Sequence, residues 1–175
     1  HFPTAIGTTT ALQLSACDAF SIYAKFKSID FNISEVLIKA LTLLQKTGDD
    51  RAASFIQALA SSSDDLAFWI SHIRRILLTS SLYDSQIASI QPAPEVKRCC
   101  LEVCQVLLVK LANAPTLKTE YLDDIISSAC KATETNLLQL QIAAFPLLQK
   151  VIELFRTRKS EEGNNQSINA VWRLK

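Results

Sequence analysis

The amino-acid sequence predicts an all-α protein, and three observations support this fold class. Its 175 residues include only 3 Gly and 5 Pro, too few for the turns of an all-β fold or a glycine-loop α/β enzyme. Apolar residues recur at spacings of three and four along most of the chain, as in amphipathic helices. One helical segment also matches another 44 residues away, which indicates a repeated unit.

The first three predicted helices lie in the N-terminal third of the chain. A helix over residues 9–27 is expected to pack through one apolar stripe, formed by Leu12, Ala16, Ala19, Phe20, Tyr23 and Phe26. The next helix is expected to begin at Ser34, whose hydroxyl can cap it, and to end before Gly48. Asp49 and Asp50 complement the positive end of a helix dipole, which predicts a third helix over residues 51–60.

Two longer helices follow. Asp64 and Asp65 favour a helix start, and the helix that follows is expected to reach about Leu82. Apolar residues lie nearly all round its first turns, so Trp69 is predicted to be buried. Pro94 suits the first turn of the next helix, which is expected to cover residues 95–112.

The C-terminal third contains the longest helical pattern. A helix capped by Thr116 or Thr119 is expected to end near residue 131. Residues 136–158 then form a helical pattern that Pro146 is predicted to kink or divide. The polar residues 160–166 predict a loop, and residues 168–175 are expected to dock as a short helix or to stay disordered. The chain is thus divided into a helical segment, 1–159, and a polar C-terminal segment, 160–175.

The internal repeat aligns residues 96–107 with residues 140–151 without gaps. Each segment contains a pair of small residues, Cys99-Cys100 or Ala143-Ala144, followed by an apolar ladder. A fainter copy at Ala52-Ala53 lies 47 residues before the cysteine pair. Small residues let two helices approach closely, and the ladder can then pack against a neighbouring helical hairpin. No hairpin of this kind buries its apolar faces alone.

In this form the sequence resembles the HEAT-repeat family, whose second helices commonly begin with an apolar residue, a basic residue and small residues. Residues 96–100, Val-Lys-Arg-Cys-Cys, follow that pattern, whereas residues 140–144 lack the basic residue. The resemblance to this HEAT/armadillo-type family implies an α-α superhelix, a HEAT-like solenoid. It would have about three helical hairpins, over residues 34–60, 63–112 and 116–158, plus a leading helix. A four- or six-helix bundle with coincidental self-similarity is the alternative.

Charge and cysteine content restrict the compartment and the partners. The 18 Lys and Arg nearly balance the 17 Asp and Glu, so attraction to nucleic acid or to an anionic membrane is not expected. No uninterrupted apolar run approaches the roughly 20 residues that span a bilayer, so direct membrane insertion is not expected either. The five cysteines are an odd number, and Cys99, Cys100 and Cys104 lie close together in an apolar helical pattern, which favours reduced thiols and a cytoplasmic location. The missing initiator Met predicts part of a longer chain or of a larger assembly.

The sequence does not predict an enzyme. The chain has only two histidines, and nothing places His72 against a thiol. Cys100 and Cys104 share a helix face, but no spacing motif supplies two further metal ligands, so packing is the favoured role for both. No cofactor or metal is expected. A thiol or metal-dependent enzyme is kept as the least favoured alternative.

The predicted function is a non-catalytic scaffold that presents an elongated surface to other proteins. Candidate binding residues lie on the second helices of the hairpins, namely Arg51, Gln57, Lys97, Glu102, Gln105, Gln141 and Gln149. A basic cluster ends the longest helix and could bind an anionic partner, although the helix dipole explains it equally well; it comprises Arg156, Arg158 and Lys159. A compact bundle that binds an amphipathic partner helix in a groove is the alternative.

The stretch 137–155, rich in Leu, Gln and Ala, also resembles segments of the very large HEAT-repeat proteins that accompany clathrin adaptors in membrane traffic. This second resemblance implies a role in intracellular protein transport. It also implies a location at the periphery of Golgi or endosomal membranes, reached through partner proteins.

Overall fold

A computed structural model describes residues 10–24, 32–79, 82, 90–113 and 119–172, with side chains described as far as Arg156. All regular secondary structure in these residues is helical, which confirms the predicted all-α class. The α-helices are α1 (Thr10–Ala24), α2 (Ile33–Thr47), α3 (Asp50–Ser62), α4 (Leu66–Ile73), α5 (Pro94–Asn113), α6 (Thr119–Thr133) and α7 (Leu138–Trp172). Residues Arg74–Leu78 continue α4 as a π-helical turn.

Four of the helices pack side by side in chain order. Helix α1 packs on α3, α3 on α5, and α5 on α7. Helix α2 packs on α3, and α6 packs on both α7 and the π-helical turn. Buried apolar side chains from α1 to α7 form one continuous core. We call the helices α1, α3, α5 and α7 the main row.

Local capping interactions set several helix ends. Gly48 adopts a left-handed conformation, with φ of 63°, and its N–H donates to the Leu44 carbonyl at 2.8 Å, which confirms the predicted end of α2. The predicted start at Ser34 was wrong, because the Asn32 side chain accepts from the Glu35 N–H and α2 begins at Ile33. Asp49 caps α3 as an acceptor of the Arg51 N–H at 2.9 Å.

Helix α1 packs through a different face from the predicted one. Leu14 and Cys17 are buried, whereas Leu12 and Tyr23 are 53% and 48% exposed. The Phe20 ring lies 6.1 Å from the Phe55 ring of α3, between centroids. Helix α1 has apolar residues on two sides, so its periodicity could not decide which side faces α3. Phe26 lies outside the described residues.

The fourth predicted helix is shorter than expected and changes its hydrogen-bond pattern. Helix α4 ends at Ile73, and the Thr79 N–H donates to the Arg74 carbonyl at 3.3 Å across the π-helical turn. Trp69 is buried as predicted, and Ile76 within the π-helical turn is buried too. The segment therefore faces the core on more than one side.

Helix α7 is longer than predicted. Pro146 lies inside it without dividing it, and the helix continues through residues 160–166, where a loop was expected. Pro146 and Ile142 are both exposed, so water can hydrogen-bond to the Ile142 carbonyl, which would otherwise accept from residue 146. Residues 168–172 belong to α7, and residues 173–175 lie outside the described part. Thr116 also lies outside it, and α6 begins at Thr119.

The N-cap of α3 predicts a pH-dependent contribution to stability. Hydrogen bonds from the Arg51 side chain lower the pKa of Asp49 from 3.8 to about 2. The stabilising effect of the Asp49 charge is therefore fully present above the unfolded pKa of 3.8 and is lost as the pH falls through about 2. We expect Asp49→Asn to unfold at lower urea concentration than wild type at neutral pH, with the difference vanishing near pH 2.

Urea denaturation over this pH range measures that difference. Asp64→Asn is the matched control, since it removes an exposed carboxylate near another helix start without disturbing the Asp49 cap. A wild-type advantage over Asp49→Asn that does not change with pH would contradict the assignment. Asp49→Ala additionally removes the cap, at a cost of about 1 kcal/mol.

Candidate protein-binding surface

Two of the predicted binding residues instead join helices within the chain. The Gln57 amide on α3 donates to Glu102 on α5 at 2.6 Å. Arg98 donates to Glu102 at 3.0 Å and to Asp50 at 2.5 Å, so its guanidinium links both helices. The hydrogen bond with Asp50 raises the pKa of Arg98. Gln57 and Glu102 therefore help to fix the position of α5 on α3.

Two further candidates also make internal hydrogen bonds. Gln105 accepts from the Lys150 ammonium of α7 at 3.4 Å. The Gln141 amide donates to the carbonyls of Thr133 and Thr135, at 3.2 and 2.8 Å, and so closes the C-terminal end of α6. The sequence does not reveal these roles, because a polar residue at a given position in a helix can face either solvent or a neighbouring helix.

The remaining candidates are more accessible. Arg51 is exposed and forms an ion pair with Asp49 at 2.9 Å, and Lys97 is half-buried. Gln149 and Arg156 lie exposed on α7. The backbone of residues 158 and 159 belongs to α7, but the side chains of Arg158 and Lys159 lie outside the described part. Those predicted binding residues whose side chains are described therefore do not form one compact surface cluster.

An apolar surface on α7 was missed. Phe145, Ile152 and Phe155 are 59%, 52% and 51% exposed. Each lies two or five residues from Lys150, which faces α5, and a helix turns by about 100° per residue. All three side chains therefore lie on the side of α7 that faces away from α5. We call these three residues the α7 outer side.

The equivalent side of α5 is buried. The residues 44 positions before the α7 outer side are Leu101, Leu108 and Leu111, and their exposed fractions are 0%, 2% and 1%. They lie opposite Cys99, whose thiol contacts the Ala53 carbonyl of α3 at 3.7 Å. Helix α5 is thus packed on two sides, by α3 and by α7, whereas α7 exposes the corresponding second side. The 44-residue repeat could have indicated this surface, because it aligns the exposed residues of α7 with residues of α5 that are buried between two helices.

A cleft lies between α4 with its π-helical turn and α6. Its volume is about 720 Å³, and its lining includes Arg74, Arg75, Glu120, Tyr121 and Asp124. The Arg74 Nε atom lies 3.9 Å from an Asp124 carboxylate oxygen. Basic and acidic groups face each other across the cleft, so it offers no concentrated charge of either sign to a ligand.

The cysteines are mostly buried in the core. Burial raises the pKa of Cys17 to about 11 and raises the pKa values of Cys99, Cys100 and Cys104 well above the ordinary thiol value. These four thiols are therefore protonated at neutral pH and pack as small apolar side chains. In the described part of the chain, no three Cys, His, Asp or Glu residues cluster closely enough to hold a metal ion.

Helix α7 also has the length and composition of a membrane span over Leu138–Arg156, although 22% of this stretch is buried within the protein. The buried part includes Leu140, Ala144 and Leu147, which belong to the common core.

Comparison of the chain with family models, with curated proteins and with solved structures finds no match. The surface on α7 is therefore interpreted from its own residues.

The burial of the thiols predicts selective chemical labelling. Cys130 is the one exposed cysteine of the five, so we expect a thiol reagent to modify one cysteine per folded chain and five in denaturant. Spectrophotometric titration with an aromatic disulfide measures both numbers, and Cys130→Ser is the matched control that should remove the fast reaction. A second thiol that reacts rapidly near neutral pH would indicate an activated cysteine and would favour the enzyme alternative.

Proposed function

We propose that this chain is a non-catalytic scaffold built as a HEAT-like α-α superhelix, and that it binds other proteins. The observation that carries the proposal is the relation between α5 and α7. On one side of these helices, residues with the same position in the repeat are buried alike, as Cys100 and Ala144 are, and as Leu107 and Val151 are. On the other side of these two helices, Leu108 is buried and Ile152 is exposed. A stack of equivalent units, in which α7 is the last described helix, accounts for both facts.

The hydrogen bonds between helices support the same arrangement. Most long-range side-chain hydrogen bonds of the described residues join residues 45 to 48 positions apart, in the pairs Gln45–Gln91, Gln45–Ala93, Gln57–Glu102, Asp50–Arg98, Ala53–Cys99, Ser63–Lys110 and Gln105–Lys150. The hydrogen bond from Lys131 to Leu78 spans 53 positions. Most of these spatial neighbours are therefore about one repeat apart in the sequence. A bundle with connections of varied length would not favour one separation in this way.

In this proposal the hairpins are α2 with α3, α4 with α5, and α6 with α7, and α1 is the leading helix. Because α1 packs on α3 as α3 packs on α5, α1 corresponds to the second helix of a hairpin. The main row then consists of equivalent helices. Its free side on α7 is the position where a further helix, from a longer chain or from another protein of a larger assembly, would bind.

The chemistry of the α7 outer side suits a protein partner. Phe145, Ile152 and Phe155 are large apolar residues, and burial of apolar surface contributes about 25 cal/mol per Å². Aromatic residues are also enriched in protein interfaces. The resemblance to HEAT-repeat proteins of membrane traffic supports a cytoplasmic partner in intracellular transport and a location at Golgi or endosomal membranes through that partner.

Site-specific crosslinking tests the proposal. A photoreactive amino acid in place of Phe145 would capture the protein that covers α7 in cells, and mass spectrometry would identify it. We expect Ile152→Glu to weaken binding of the purified partner by about tenfold or more, since the variant would bury a charge in an apolar contact.

Val109→Glu is the matched control, because Val109 is 51% exposed on α5 and lies outside the α7 outer side. It should bind the partner as wild type does. Equal losses in Ile152→Glu and Val109→Glu would contradict the assignment of the surface. A photoadduct that contains no protein would contradict the scaffold function itself.

A further inference from the structure

The cleft between α4 and α6 has the composition of a ligand-binding site. Its volume of about 720 Å³ lies within the range of roughly 300–1,000 Å³ that is usual for ligand pockets. Ile70, which belongs to the common core, and Tyr121, which packs against that core, contribute apolar surface to the lining. Two arginines of the π-helical turn and two carboxylates of α6 contribute charge. Apolar surface with a few charged groups is typical of sites that bind a ligand.

Arg75, on the π-helical turn, has hydrogen-bonding capacity that the described residues leave unused. Its Nε atom is buried and has no hydrogen-bond partner among them, and none of their ion pairs involves Arg75. Burial raises the pKa of the Cys100 thiol, and the nearby Arg75 charge lowers it by less, so this thiol stays protonated and does not neutralise Arg75. A buried donor without an acceptor costs free energy, and a carboxylate bound in the cleft would supply the acceptor.

Glu120 is the corresponding acidic group on α6. It is exposed, and it forms no ion pair with the described residues. Asp124, one turn later on the same helix, has a carboxylate oxygen 3.9 Å from the Arg74 Nε atom, so these two charges already compensate each other. Of the charged residues that line the cleft, Arg75 and Glu120 are thus left without an ion-pair partner in the described part of the chain. A ligand that complements both must carry both signs of charge.

We propose that this cleft binds a short segment of another protein, in which an acidic side chain pairs with Arg75 and a nearby basic side chain pairs with Glu120. A cleft of this volume holds a drug-sized ligand, which is larger than a free amino acid, and so favours several residues of a peptide. The π-helical turn that supplies Arg75 fits this role, because such turns occur frequently at functional sites. The proposal rests on the proposed scaffold function but uses a surface distinct from the α7 outer side.

Fluorescence anisotropy with labelled synthetic peptides and the purified full chain tests this proposal. One set of peptides combines apolar residues with a Glu and a Lys at varied separations. Three matched sets of the same length contain only the Glu, only the Lys, or neither. We expect the best peptides with both charges to bind about tenfold more tightly, or better, than the matched sets, which leave Arg75, Glu120 or both unpaired.

Two variants assign the binding to the cleft. Arg75→Met keeps an apolar side chain and removes the charge, so its affinity for the peptides with both charges should fall about tenfold or more. Its urea midpoint should not fall, because the Arg75 Nε atom has no hydrogen bond to lose. Glu120→Gln should bind peptides with both charges and peptides with only the Glu equally well. Lys46→Met is the matched control and should bind as wild type does, since Lys46 is exposed on α2 and does not line the cleft.

Three results would overturn the proposal. The first is that no peptide binds at millimolar concentration, or that all four sets bind equally. The second is an equal loss of affinity in Arg75→Met and Lys46→Met, which would indicate a nonspecific effect of charge. The third is displacement of the peptide by free amino acids at equal concentration, which would indicate a small zwitterionic ligand.

The outcomes are distinguishable from those at the α7 outer side. A chain that captures a partner through residue 145 but binds none of the peptides would lose the cleft as a site and keep the scaffold function supported. Peptide binding that requires Arg75, together with a photoadduct at residue 145 that contains no protein, would have the opposite meaning.

Discussion

The main-row helices of this chain have more apolar surface than one neighbouring helix can bury. Helix α5 illustrates the constraint, because Cys99 faces α3 while Leu101, Leu108 and Leu111 are buried on the opposite side. Apolar burial between successive helices of the main row therefore links each of these helices to its neighbours. The stability of the chain is distributed over several shared interfaces, and the exposed sides of α1 and α7 follow from the same constraint.

Polar side chains determine how the row helices align. Arg98 of α5 donates to Asp50 of α3, and Gln57 of α3 donates to Glu102 of α5, so a shift of α5 by one turn along α3 would break both hydrogen bonds together. Apolar ladders alone tolerate such shifts, since their residues repeat along the helix. Charge-assisted hydrogen bonds at the edge of the apolar contact thus specify one alignment of α5 along α3, which the apolar residues alone do not.

The sequence predicted the elements whose causes are local. Gly48 ended a helix, Pro94 began one and Asp49 capped one, because capping depends on residues within a single turn. The packed side of α1 and the length of α7 depend on neighbouring helices and on solvent, so the predicted stripe of α1 and the predicted loop over residues 160–166 were wrong. Local capping rules also cannot determine whether an apolar helix has a second side to bury.

The candidate site was predicted less well than the fold. Polar residues such as Gln57 and Gln141 were expected to face a partner, yet they hydrogen-bond within the chain. Ile152 follows directly after the aligned repeat segment, and only the three-dimensional order of the helices shows that it is 52% exposed. The exposed apolar residues of α7 and the buried apolar residues of α5 are of similar types, so composition could not distinguish them.

Pro146 gives α7 a mechanical property that the other row helices lack. Bending an ordinary helix away from its axis stretches backbone hydrogen bonds, but residue 146 has no N–H and therefore no such bond to stretch. The bend would occur beside Phe145, within the α7 outer side. The missing N–H therefore makes α7 easier to bend at this point than at other points along its length.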